Sequence, residues 1–490
     1  MVGASGSLSF LIPVMSQRDV KFVRGLGSEL EQRGHEVTYI PQNERLTLRD
    51  SKKHIDDSSL FFDHISSPPE KSLSELLETY EIEAPQSLVF PQMVYDYQYT
   101  NVNHRPFLLG ADSVDYGPYF DILHRTLDAL DGLYEDGCGP VPIQHQGGEV
   151  LRRSLQRVAE THGVQSVWVG NSPVDGYSGL YDDEHVNWRI FDGEGSAEMT
   201  NDDRERAHEY VNHVREQKPF TGKRAGKDGL PPQFETEQTS TIDRIRRLFS
   251  PEHDSAAMIG DWLRGKARRT GRRMKGRLAG KIYLSQSQSE RAIQEKQFVF
   301  LPLQLIRESR VTVRSPPYYD IVWLVEYLSR SLPHGYHLVV KDHPDFVGAL
   351  PLKTMRKITQ FADVLHPDVN SHRVIEASDL VVTLNNTVGY EAILYGEPVV
   401  ALGSAYYDQA GSVRKVENIN DLPAIVNQAI DSGGLSDEEI LQFAHQIFEG
   451  SYPGEWFNAS EANFEQLVAS IFDYLTQENV GNDTVADARV

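Results

Sequence analysis

The 490-residue chain contains a single cysteine, Cys138. That excludes an intramolecular disulfide framework and any cysteine-rich zinc site. No neighbouring motif supports Cys138 as a nucleophile. Long hydrophobic runs are missing too, since none approaches the roughly 18–20 residues that a membrane span requires. The opening apolar run, 7–14, is short and lacks the basic lead of a signal peptide. It reads as a first strand, and the expectation is a cytoplasmic protein. Positive charge is scarce. The 48 basic residues face 71 acidic ones for a net charge of −23, which argues against a general nucleic-acid binder. Lysine is scarcer still, 15 against 33 arginines. Carboxylates hold water and ions where lysine stems would expose hydrocarbon, so this surface suits a high-salt interior, a halophilic composition.

What is present is alternation. The length predicts two domains of ordinary size plus connecting material, and 39% hydrophobic residues supply cores for both. The run 7–14 precedes a helical spacing over 20–33 (Phe22, Val23, Leu26, Leu30). A glycine, Gly34, and a second apolar run, 37–40, follow. This is a βαβ unit and predicts a parallel sheet. Segments 87–90 and 166–170 read as further strands, and 149–162 as a helix. The expected partition is an N-terminal Rossmann-like domain over 1–195, then a flexible insert or linker over 196–295. A second Rossmann-like domain spans 296–477, and a disordered tail 478–490. Within the second domain the spacing predicts strands at 297–302, 336–341, 380–384 and 399–402. It predicts helices over 318–331, 371–377 and 388–395. Unbroken apolar strands alternating with helices make the fold class α/β with doubly wound sheets.

Three segments of the second half carry candidate chemistry. In Asn385-Asn386-Thr387-Val-Gly389-Tyr-Glu391 a strand ends and a helix begins, at the sheet edge where such folds bind ligands. The helix start offers unpaired N–H groups and positive dipole to a phosphate. Thr387 is expected as helix cap and phosphate contact, Gly389 as room for close ligand approach. Glu391 is expected in the first turn, accepting a ribose hydroxyl. An ordinary N-cap with an acidic first turn explains the same residues without a ligand. In Lys341-Asp342-His343-Pro344 a strand delivers Lys341 and His343 to the same edge, where they can neutralise a departing phosphate. A solvated loop is the plainer alternative. In Leu303-Gln304 followed by Glu308-Ser309-Arg310, Gln304 could read a base or ribose and Ser309 could touch phosphate or sugar. A buried glutamine satisfied by backbone would look no different.

In this order the three segments resemble the capsule polysaccharide biosynthesis family, which includes transferases of the acid sugar Kdo. The resemblance covers about residues 297–410. It implies a GT-B glycosyltransferase: two Rossmann-like domains facing a cleft, donor on the C-terminal one, acceptor on the N-terminal one, no essential metal and no cofactor beyond a nucleotide-sugar co-substrate. In Kdo transferases that donor is a CMP-sugar. Carried over, His343 with Asn386 and Thr387 would hold the CMP phosphate, and Glu391 the ribose. The acceptor would be a surface polysaccharide or lipid-linked glycan.

The N-terminal half offers His145 and Glu149, in His145-Gln-Gly-Gly-Glu149, as general-base candidates for an acceptor hydroxyl. A turn and helix start would look the same. Asp112, Asp136 and Asp175 are further carboxylates, unranked. Between 261 and 281 lie nine basic residues against one acidic. This stretch reads as a linker helix paired with the chain's own acidic surface, or as an arm for anionic lipid head groups on the inner face of the membrane. A grip on nucleic acid fits least. Two other functions share the pattern. A non-hydrolysing sugar-nucleotide epimerase would act on the donor alone. A non-catalytic subunit of a glycan-assembly complex would account for Glu308-Ser309 where the family has Asp-Ser.

Overall fold

The computed structural model describes residues 7–15, 19–41, 68–134, 138–191, 199–217, 281–304, 306, 308–342 and 350–486, apart from 101–114, and for 95–100, 217 and 478–486 the backbone alone. The predicted alternation resolves into two six-stranded sheets.

The first sheet begins with β1 (Ser9–Val14) and α1 (Val20–Gln32), whose Phe22, Val23, Leu26 and Leu30 are all buried. β2 (Glu36–Pro41) pairs parallel with β1. Next comes α2 (Pro85–Thr100), so the expected strand at 87–90 is a helix. A four-residue apolar run does not distinguish the two states by itself. Here Leu88 and Val89 enter the first core while Met93 and Val94 enter the second, a division that helical spacing permits. β3 (Val141–His145), α3 (Val150–Thr161), β4 (Val167–Asn171) and β5 (Tyr177–Tyr181) follow. The strands run parallel from β2 through β1 and β3 to β4, and β5 pairs antiparallel with β4.

The second sheet is wholly parallel. Two helices lead into it from the segment expected to be a flexible linker. In α4 (Asn201–Gln217), Ala207, Val211 and Val214 pack into the second core. In α5 (Gln286–Glu295) a capping box at Ser285 starts the helix, and Ala292 and Ile293 are buried. The linker expectation is corrected for 199–217 and 281–295, and 218–280 lie outside the described residues. β6 (Phe298–Pro302) leads to the short α6 (Ser309–Thr312). β7 (His337–Lys341), β8 (Asp363–Val364) and β9 (Leu380–Thr383) follow, then α7 (Thr387–Tyr395), β10 (Val399–Ala401) and β11 (Val413–Lys415). The spatial order is β8-β7-β6-β9-β10-β11. Chain direction across the sheet therefore reverses at the β6/β9 boundary, which is where a doubly wound sheet opens a crevice.

The chain then returns. After α8 (Asp437–Glu449), β12 (Ser451–Pro453) pairs antiparallel with β5 at the edge of the first sheet. α9 (Glu461–Ala486) packs Phe464, Leu467, Val468 and Ile471 into the core of α1 and β1. The second domain expected over 296–477 thus gives its last portion to the first sheet. Of the tail expected to be disordered, 478–486 continue α9. Covering an otherwise exposed sheet edge and the apolar face of α1 is the physical reason for both.

Candidate functional site

The crevice of the second sheet is built by residues just beyond β6 and β9. The Gln304 amide nitrogen donates to Asn385 Oδ1 at 3.1 Å, tying the two strand ends together across the reversal point. Asn385 is 4% exposed. Its Nδ2 donates to the Arg310 carbonyl at 2.6 Å and to Ser315 Oγ at 2.7 Å. All of the Asn385 side chain is therefore committed to fixing the loops, while Gln304 Oε1 is covered and accepts no hydrogen bond.

Asn386, not Thr387, caps α7. Its Oδ1 accepts from Val388 N at 3.1 Å and from Thr383 Oγ1 at 3.0 Å. Asparagine reaches the second backbone N–H of the helix readily, which leaves Thr387 as the first helical residue. Thr387 is partly exposed, and its hydroxyl has no partner among the described residues. Gly389 serves packing rather than ligand approach. A Cβ there would overlap the Tyr407 hydroxyl and stand 2.8 Å from Thr383 Cγ2, and Tyr407 donates to the Asn386 carbonyl. Glu391 lies in the second turn of α7 rather than the first, and is 4% exposed. It lies within electrostatic reach of Lys341 at the end of β7. Burial pulls the Lys341 ammonium down to about 8, although the charges of Asp342, Asp368 and Glu391 oppose the shift. Asp342 is buried and accepts from the Tyr283 hydroxyl at 3.0 Å. Ser309 opens α6 on the same side, partly exposed. His343 lies outside the described residues, as do Asp112, Asp136 and nearly all of 261–281.

The edge of the first sheet meets this crevice. A Cβ on Gly148, in the turn after β3, would stand 2.7 Å from Pro91 Cβ and 3.1 Å from Val313 Cγ2, the residue after α6. The carboxyl ends of β3 and β6 therefore face one another, and Gly147-Gly148 lets them approach. His145 stacks on Trp456 with ring centroids 5.4 Å apart, and its Nε2 is buried without a partner. Burial, reinforced by the Arg152 charge, lowers its pKa to about 3. It is a neutral ring at ordinary pH and a weak base. Glu149 precedes α3 and pairs with Arg152 at 2.9 Å. The structure thus gathers Gln304, Ser309, Lys341, Asn385, Asn386, Thr387 and Glu391 around one sheet edge, with His145 and Glu149 on the opposing edge. Asp175 is exposed in the β4–β5 turn, and Cys138 is exposed.

Sequence reasoning gives no role to Arg310, Arg314, Tyr181 or Trp456. Tyr181, buried at the end of β5, lies within electrostatic reach of both arginines. Two arginines four apart beside a strand end were a usable signal. Tyr181 and Trp456 had none, because only the returning chain brings Trp456 to His145.

Residues 242–420 match the capsule polysaccharide biosynthesis protein family. The resemblance read from the three motifs holds over that segment, which is less than half of the chain. FixF from Sinorhizobium fredii is 30% identical over 153 residues, 29% of this chain and 35% of FixF, so the chain spans about a third of that relative's length. Among solved structures, the chain is similar to KpsC, a beta Kdo 2,4 transferase from Thermosulfurimonas dismutans. The identity is 12%, the TM-score 0.35, and the match covers 62% of this chain and 78% of that one. It is also similar to UDP-GlcNAc 2-epimerase from Neisseria meningitidis bound to UDP-GlcNAc, at 10% identity and a TM-score of 0.23, over 94% and 99% of the chains. No described helix is long and apolar enough to cross a membrane.

Proposed function

We propose that this protein is a glycosyltransferase that moves a sugar from a nucleotide-activated donor, a CMP-linked acid sugar on the strength of the family resemblance, to a surface polysaccharide or lipid-linked glycan. The observation that carries the reading is the β6/β9 reversal point, where Gln304 and Asn385 join and α7 begins. The nucleotide lies across that crevice. Thr387 donates its hydroxyl to the phosphate, and the positive end of α7 faces the same group. Lys341 places positive charge beneath the leaving phosphate as the sugar–oxygen bond breaks. Glu391 is buried within electrostatic reach of Lys341 and, after Asp342 and Asp368, opposes the loss of its proton, which supports a positioning role for it before any contact with ribose. His343, two residues beyond Lys341 in the sequence, is proposed for the same phosphate.

On the opposing edge, Glu149 is the better candidate for the general base. Its carboxylate is partly exposed, whereas His145 is a weak base by its environment. The Arg152 partner, at 2.9 Å, holds the Glu149 carboxylate in place at the start of α3.

The test is acceptor dependence. Incubated with a panel of nucleotide-sugars, the protein should release free nucleotide only when a capsule-type glycan is also present. Glu149→Gln should lower that turnover by about 10²-fold or more, the scale of general-base contributions. An epimerised sugar-nucleotide formed with no acceptor would replace the transferase reading with the epimerase one. Absence of nucleotide release from every donor would leave the non-catalytic subunit.

A further inference from the structure

The loop that leaves β6 and passes under β9 carries two arginines one helical turn apart, Arg310 and Arg314. Arg314 is 7% exposed and Arg310 half-buried. Among the described residues neither guanidinium donates a hydrogen bond or meets a carboxylate within ion-pair distance. Glu308 attracts Arg314 only from farther away. Also within electrostatic reach of the pair are the hydroxyls of Tyr181 and Tyr407, both raised by burial and so un-ionised. Burial and the like charge of Arg310 push the Arg314 guanidinium down to about 9. In a chain with a net charge of −23, one buried and one half-buried cation without a counter-ion among the described residues are conspicuous. A buried arginine is ordinarily paired, because uncompensated burial of its charge is strongly unfavourable.

The backbone beneath them is held firmly. The Arg310 carbonyl accepts from Asn385 Nδ2 at 2.6 Å and from Ser315 Oγ at 2.8 Å. The Arg314 carbonyl accepts from Ser404 N at 3.0 Å. A Cβ on Gly403 would stand 2.7 Å from Ser315 Cβ, so the loop and the β10 end are in close contact. Nearby, Gln304 Oε1 is covered and unpartnered. The backbone that carries the cations is thus pre-positioned, which favours a binding site.

We propose that Arg310 and Arg314 form a seat for an oxyanion, a carboxylate or a phosphate, at the junction of the two sheets. Two guanidinium forks match the oxygens of either group. Read with the proposed function, the seat takes a second negative group of the donor, its sugar carboxylate or a second phosphate. The seat is made by the arginines and does not require a nucleotide.

The experiment therefore uses simple anions. Thermal stabilisation and calorimetric titration of the full chain are measured with inorganic phosphate and, separately, with glucuronate, at constant ionic strength. At least one anion should bind the wild type. Its affinity should fall about tenfold or more in Arg314→Gln and in Arg310→Gln, while Arg314→Lys keeps part of it. Arg204→Gln, on the exposed face of α4 and paired with Glu438, should behave as wild type. Loss confined to phosphate identifies a phosphate seat, and loss confined to glucuronate a carboxylate seat. Without anion, Arg314→Gln should melt no lower than wild type, since it removes an unpaired buried charge. If Arg314→Gln does not fold, the half-buried Arg310→Gln carries the comparison. Failure of both anions to bind wild type, or equal binding by wild type and Arg310→Gln, overturns the proposal. Failure of every nucleotide to bind, with anion binding intact, would count against the transferase reading alone.

Discussion

At the scale of single residues, burial decides what the candidate groups can do. His145 titrates at about 3 when folded and at 6.5 in the unfolded chain. Between those values the unfolded chain binds a proton that the folded one refuses, so this contribution to stability is complete above about pH 6.5 and is lost as pH falls. His145→Gln should flatten that acid limb. Melting temperatures of the two proteins at pH 7 and pH 4.5 give the check, and an unchanged acid limb would contradict a neutral His145 with its Nε2 covered. Lys341 runs the other way for binding. Its ammonium is lost in the free protein as pH rises through about 8, so nucleotide affinity should weaken from there upward. Titrations across pH 7–10 should show this in the wild type and not in Lys341→Met. At this scale the sequence was legible in part. The placement of Lys341, Asn386 and Thr387 at a strand end and a helix start was legible because that pattern leaves a local mark. Roles within the turn were misassigned, because the tertiary partner Tyr407, not local sequence, explains Gly389, and the capping geometry favours Asn386.

At the scale of elements, α7 is the hinge of the account. It is buried along Gly389–Leu394 and rests on β9 through Gly389, with Tyr407 fastening its cap. Gly389→Ala should be destabilising by about 1–3 kcal/mol, the range for overpacking a closed site, even though alanine is the better helix former. Denaturant midpoints measure it, and a stabilised variant would mean that α7 stands away from Tyr407. Helical periodicity made α1 and α3 readable, and continuous apolar runs made β6, β7 and β9 readable. The run 87–90 failed because it is too short to show a period. Its neighbours Met93 and Val94, which settle the matter, pack against the other sheet.

At the scale of the whole molecule, alternation of strands and helices was enough to expect two doubly wound sheets. The return of β12 and α9 to the first sheet was not legible, since β12 pairs with β5, far away in sequence (Tyr452 with Ser178), and leaves no local mark. Net charge acts at this scale too. Self-repulsion among carboxylates should make the melting temperature rise steadily with KCl up to molar concentration. A flat dependence would remove the high-salt reading of the composition. The central claim is that the β6/β9 reversal point seats a nucleotide. Its most direct measurement is thermal stabilisation, in molar KCl, by CMP, UMP, UDP, GDP, TDP and CDP, of wild type beside Thr387→Val. A ligand that binds only the folded state must raise the melting temperature. The account predicts a rise with CMP that shrinks in Thr387→Val. No rise with any nucleotide, or the same rise in both proteins, would contradict it.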